Sequence, residues 1–96
     1  MAAYLIADTL LNDPAEYEEY KLRAKPAAEK FGGQYLARGG QLSVKESDLW
    51  SPTRIVIVRF ESLEQANRFY ESAEYQEALP YSQRSAKRTV LIVEGM

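Results

Sequence analysis

The sequence predicts an α+β fold: a four-stranded antiparallel sheet with two helices on one face, strung along the chain in the order βαββαβ. Three observations carry this. Four short runs rich in β-branched and aromatic residues are separated by two longer stretches with helical apolar periodicity. Each longer stretch opens on a capping signature. At 96 residues the chain has material for one core, so residues 1–96 read as one domain.

The first strand is Ala3 to Leu11, apolar at odd and even positions alike through Ala7 and therefore covered on both faces. Asn12-Asp13-Pro14-Ala15-Glu16 then opens a helix: Asp13 caps, Pro14 suits the first turn, and Glu16 stands where a capping-box carboxylate reaches back. Tyr17, Tyr20, Ala24, Ala27, Ala28 and Phe31 form its apolar stripe, Pro26 predicts a kink, and Gly32-Gly33 end it. Residues 34–46 read as an edge strand with a bulge or sharp bend at Gly39-Gly40. After a turn-rich connection through Trp50, Arg54 to Phe60 is the central strand. Ser62 with Gln65 repeats the capping pattern for a second helix reaching about Ser72. Ser72 caps a short continuation with Tyr75, Ala78 and Leu79, which Pro80 is expected to stop. Arg88 to Glu94 is the fourth strand. Right-handed crossovers and antiparallel neighbours give the spatial order 4-1-3-2, a ferredoxin-like sandwich.

In such a sandwich the sheet face away from the helices should be polar at alternate positions. Here it is not. Ile55 and Ile57 oppose Val56, Val58 and Phe60, Leu91 and Val93 oppose Val90 and Ile92, and Leu5 and Ala7 oppose Tyr4 and Ile6. Whichever set meets the helices, roughly six to eight large apolar side chains remain, worth about 1.5 to 3 kcal/mol each if buried. That sum rivals the roughly 5 to 15 kcal/mol net stability of a domain. A homodimer with sheets packed face to face is the expected cover.

Twelve basic against fourteen acidic residues give a net charge of −2, which offers no field for a phosphate backbone, so nucleic acid is not an expected partner. No window approaches a membrane span and no secretory core is present, so no membrane is expected and a cytoplasmic address follows. With no cysteine and no histidine, thiolate nucleophiles, imidazole bases and nitrogen–sulfur zinc sites are excluded. No metal and no cofactor is expected.

The opening Ala-Tyr-Leu-Ile-Ala-Asp, the Asp13-Pro14 helix start with Tyr17 and Tyr20, the block from Phe31 to Gly40, the Arg54 to Phe60 strand and Ser72-Ala73-Glu74-Tyr75-Gln76 together resemble domain-of-unknown-function family 1330. The Gly-Gly-x-Tyr-Leu-x-Arg-Gly-Gly block is the most specific part. That family resembles the dimeric α+β barrel superfamily, which implies the same dimer. Its relatives include cofactor-independent monooxygenases, haem-degrading enzymes, lactone isomerases and binding proteins, so the fold does not choose among them. The haem-degrading members need a histidine, which this chain lacks.

The superfamily resemblance implies a ligand pocket between sheet and helices. Tyr70 and Tyr75 are candidates to offer hydroxyls there, against the alternative that both rings are core. Asp8 is expected near Arg54 and Arg88 at one sheet end, as an ion-pair cluster in which Arg54 is also placed to hold a carboxylate substrate. Arg38 with Gly39 admits either a ligand close to the backbone or simply the edge-strand bend. Trp50 needs cover from a partner subunit or from a ligand mouth. Arg84, Lys87 and Arg88 read as a solvated basic group. Two functions compete: an enzyme of the monooxygenase or isomerase kind acting on a small apolar, oxygen-bearing metabolite, and a non-catalytic homodimer that binds a small molecule or a protein.

Overall fold

A computed structural model describes residues 1–96. The elements are β1 (Ala3–Leu11), α1 (Pro14–Lys30), β2 (Gln34–Arg38), β3 (Ile55–Phe60), α2 (Leu63–Glu71), α3 (Ala73–Ser85) and β4 (Ala86–Glu94). The strands form one antiparallel sheet in the order β2-β3-β1-β4, the order expected for a ferredoxin-like sandwich. No helix is long and apolar enough to cross a membrane.

Parity decides what each side chain does. Ala3, Leu5 and Ala7 of β1 pair with Phe60, Val58 and Val56 of β3, and all six share the face that meets the helices. The core gathers there, with Tyr17, Tyr20, Ala24 and Ala28 of α1 packed over Phe69 of α2 and Tyr75 of α3. The opposite face carries Tyr4, Ile6, Ile55, Ile57, Leu91 and Val93. Leu91 is 38% and Val93 47% exposed and the others are half-buried, so the second apolar face is only partly covered within the chain.

The helix starts follow the sequence in part. Asp13 caps α1 by accepting from the Glu16 N–H at 3.2 Å, and Ser62 caps α2 by accepting from the Gln65 N–H at 3.0 Å. Neither box closes. Glu16 turns its carboxylate to Arg84, and the Gln65 amide donates to the Phe31 carbonyl, because these tertiary partners offer more than a return to the cap. Ser72 joins α2 to α3, donating to the Phe69 carbonyl and accepting from the Tyr75 N–H.

Four expectations are corrected. The third helix does not stop at Pro80 but runs to Ser85, because Ala78, Ser82 and Ser85 are buried on its inner face and that packing outweighs the bond the proline removes. Strand β2 ends at Arg38 rather than at residue 46: Gly39 takes φ +72° and turns the chain away, and residues 40–54 form neither helix nor strand. Strand β3 begins at Ile55, one residue late, and β4 begins at Ala86, two residues early, directly on the end of α3. Apart from these, helix α1 runs as one element through Pro26.

Candidate functional site

The cavity of the fold lies between the sheet and α1. Its floor is Leu5, Ala7, Val56 and Val58, and its roof is Ala24 and Ala28 of α1 with Phe69 behind. Small residues create it: alanines stand at three of these positions, where longer side chains would meet. The enclosed space is small, about 40 Å³, and opens to solvent at its mouth.

The polar lining is cationic and phenolic. Arg38, Arg54, Arg88 and Lys21 reach the cavity with Tyr17, Tyr20, Tyr35 and Tyr75, and no aspartate or glutamate lines it. Lys21 is neutralised by Glu18 at 3.0 Å. The other ion pairs involve Arg23, Lys30, Arg59, Arg68 and Arg84, so Arg38, Arg54 and Arg88 have no carboxylate partner.

At the inner end one guanidinium organises two phenols. Arg88 donates from Nη1 to the Tyr20 hydroxyl at 2.9 Å and from Nη2 to the Tyr75 hydroxyl at 2.8 Å, while the two hydroxyls lie 3.0 Å apart. Arg88 also stacks over the Tyr20 ring, 4.8 Å from its centroid. Burial, reinforced by Tyr75, pushes the Tyr20 hydroxyl well above the usual phenol range, so it stays protonated at neutral pH. Burial would lower the Arg88 guanidinium, but its interactions with the Tyr20 and Tyr75 oxygens outweigh this, so it stays charged. The two phenols own two hydrogens between them and use one on each other. The second has no acceptor in the protein and is left to be donated.

A bulge sets the outer end. Tyr35 pairs with Val58 and Arg38 with Val56, an odd spacing on β2 against an even one on β3, so one extra residue is absorbed near Leu36. Without it Arg38 would point to the other face; with it Arg38 and Tyr35 both reach the cavity. Gly39 serves Arg54: a β-carbon at that position would stand 2.8 Å from Arg54 Nε. Burial raises the Tyr35 hydroxyl, with Arg38 acting against it.

Arg38, Arg54 and Tyr75 therefore meet at one cavity, with Gly39 as the padding of Arg54. Tyr70 stays outside, its ring 5.0 Å from that of Tyr75. Trp50 also stays outside: half-exposed, it donates from Nε1 to Asp8 at 2.8 Å.

The ion-pair cluster of Asp8, Arg54 and Arg88 does not form. Asp8 follows Ala7 on β1 and projects from the opposite sheet face, whereas Arg54 and Arg88 share the parity of Val56 and Val90. The three residues are near one another along the strands but not on one face. Asp8 instead accepts from Trp50 Nε1, the Thr53 N–H, the Thr53 hydroxyl and the Arg54 N–H, all within 3.0 Å. Burial would raise this carboxyl, but the hydrogen bonds from Thr53, Arg54 and Trp50 together hold it below its ordinary range. Arg88 is likewise not part of a solvated basic group. Its role with Tyr20 went unread, although the parity of Arg88 with Val90 and the helical spacing of Tyr17, Tyr20 and Ala24 contain the signal.

Fold and cavity define a class: a ferredoxin-like sandwich with an arginine–tyrosine pocket between sheet and helices. Within that class, the chain belongs to the family described as Domain of unknown function (DUF1330), which matches residues 2–96. Among curated proteins no match is found. Solved structures with the same fold include RPA0582, a protein of unknown function from Rhodopseudomonas palustris (TM-score 0.77, 15% identity, 99% of this chain and 82% of that one). SnoaB, a cofactor-independent oxygenase from Streptomyces nogalater, is similar at TM-score 0.67 with 9% identity, over 99% of this chain and 93% of its own. A dimeric ferredoxin-like protein of unknown function from Thermobifida fusca is similar at TM-score 0.57 with 14% identity, over 99% and 92%. At these identities the likeness is one of fold.

Proposed function

We propose that the protein works as a homodimer, each protomer holding a small apolar, oxygen-bearing metabolite in its cavity and turning it over by chemistry of the monooxygenase or isomerase kind. The observation that carries this reading is the Arg88–Tyr20–Tyr75 cluster at the inner end of an apolar cavity: a fixed cation and a spare phenolic hydrogen held out of water. Such a pair stabilises negative charge developing on a ligand oxygen, as in an enolate or phenolate. SnoaB, a cofactor-independent oxygenase, supports the choice of chemistry by its fold.

The dimer is supported by the uncovered sheet face. On that face Leu91 and Val93 are exposed beside the half-buried Tyr4, Ile6 and Ile57, and Leu42, Val44, Leu49 and Trp50 on the neighbouring connection are exposed too. The Thermobifida fusca relative in fold is a dimer.

One observation favours a second reading, a binding module without catalysis. No carboxylate or imidazole lines the cavity, so no general base is at hand. Oxygen uptake and absorbance changes with a panel of enolisable and phenolic aromatics separate the two. The catalytic reading expects turnover that falls about 100-fold in Arg88→Gln, the cost of one oxyanion donor. Ligands that bind unchanged for hours establish the binding module instead.

A further inference from the structure

The three arginines specify what the cavity takes. Resting on the reading of the cavity as a ligand site, we propose that its ligand is an organic carboxylate, the anionic head serving as counter-ion to Arg38, Arg54 and Arg88 and the apolar body lying against Ala24, Ala28 and Val56.

Charge argues for it first. Three guanidiniums without carboxylate partners converge on one cavity in a chain whose net charge is −2, so the positive field is local and deliberate in its placement. Mutual repulsion in a partly dry space is relieved by an anion. Donor arithmetic argues second. The guanidiniums and the spare phenolic hydrogen are donors, and the site holds no obligate acceptor. An alcohol, amide or amine would bring a hydrogen of its own, for which only phenol oxygens are at hand, those of Tyr20 and Tyr75 already accepting from Arg88 and those of Tyr17 and Tyr35 neutral and weak as acceptors. A carboxylate brings acceptors alone, in the plane that a guanidinium fork matches.

Position argues third. Thr9 of β1 pairs with Arg88 on one side and donates its N–H to the Arg54 carbonyl at 3.1 Å on the other, so Arg54 and Arg88 flank it in one row across the sheet. Two strand spacings put their backbones about 10 Å apart, so both side chains can reach one small anion. A phosphate is the weaker choice. The lining is made of side chains over apolar walls, without the ring of backbone N–H groups that phosphate sites use.

The test is titration of the full chain at pH 7 with benzoate, phenylacetate and 2-methylbutyrate, their matched carboxamides, and phenyl phosphate, following calorimetry and the methyl resonances of Ala24 and Ala28. The proposal expects at least one carboxylate to move both methyls and to bind about tenfold or more tightly than its amide. Arg54→Gln should bring the two within about threefold, and Arg54→Lys should restore part of the preference, with thermal melts showing that both variants fold. Amides binding as tightly as acids would overturn the carboxylate class while leaving the cavity as a ligand site. Phenyl phosphate binding tenfold above every carboxylate would overturn it in favour of phosphoryl ligands. Methyl resonances untouched by every probe would overturn the cavity reading as well.

Discussion

Arg88 and Asp8 show how a single residue's face fixes its work. Both stand near the same end of the sheet, yet one projects toward the helices and orders two phenols, and the other projects the opposite way and pins Trp50 and the start of β3. Removing the Tyr75 hydroxyl takes away an acceptor from Arg88 and a partner from Tyr20, leaving buried donors unmet. Tyr75→Phe should therefore lower stability by about 1–3 kcal/mol in urea denaturation; an unchanged midpoint would mean that the cluster is hydrated and carries no structural weight. Asp8 makes the acid side of the profile testable. Its carboxyl is held low in the folded state, so it stabilises the fold above the pKa of an unfolded aspartate, and that contribution is lost as pH falls through the lower folded value. Asp8→Asn should be less stable than the parent at pH 7, with the difference shrinking below about pH 4. A difference that stays constant from pH 3 to 7 would show that the charge of Asp8 contributes nothing.

At the scale of elements, the sequence was legible where periodicity and caps speak and illegible where packing overrides them. The strand order, the two apolar faces of β1, β3 and β4, and the caps at Asp13, Ser62 and Ser72 follow from local pattern. Pro80 does not, because a proline in an exposed turn of α3 loses to the burial of Ala78, Ser82 and Ser85, which no local rule contains. The price of that accommodation is measurable: Pro80→Ala should stabilise the protein by about 1–3 kcal/mol, the interior-proline penalty less the entropy an unfolded proline saves. A neutral or destabilising result would contradict a helix continuous across that position. Half of the site was legible too. Arg38, Arg54 and Tyr75 were named from residue type and strand-end position, whereas Tyr20 and the inward role of Arg88 needed the face of each strand to be settled, and the bulge near Leu36 that turns Arg38 inward leaves no mark in the sequence beyond the glycines that follow.

For the whole molecule, one sheet does two jobs. The face under the helices encloses the cavity, made roomy by alanines and charged by arginines from three strands' ends, and the other face presents Tyr4, Ile6, Ile57, Leu91 and Val93 to whatever covers them. Burying such a surface contributes about 25 cal/mol for each Å² of apolar area removed from water, and a second copy brings the matching surface by symmetry. A charge set into the middle of it, as in Leu91→Glu, should split the pair without touching the cavity on the other side of the sheet. The most direct test is the mass of the native protein by light scattering at micromolar concentration. The account predicts two copies of the 10.9 kDa chain, about 22 kDa, falling to one copy in Leu91→Glu; a mass of about 11 kDa for the native protein would contradict it.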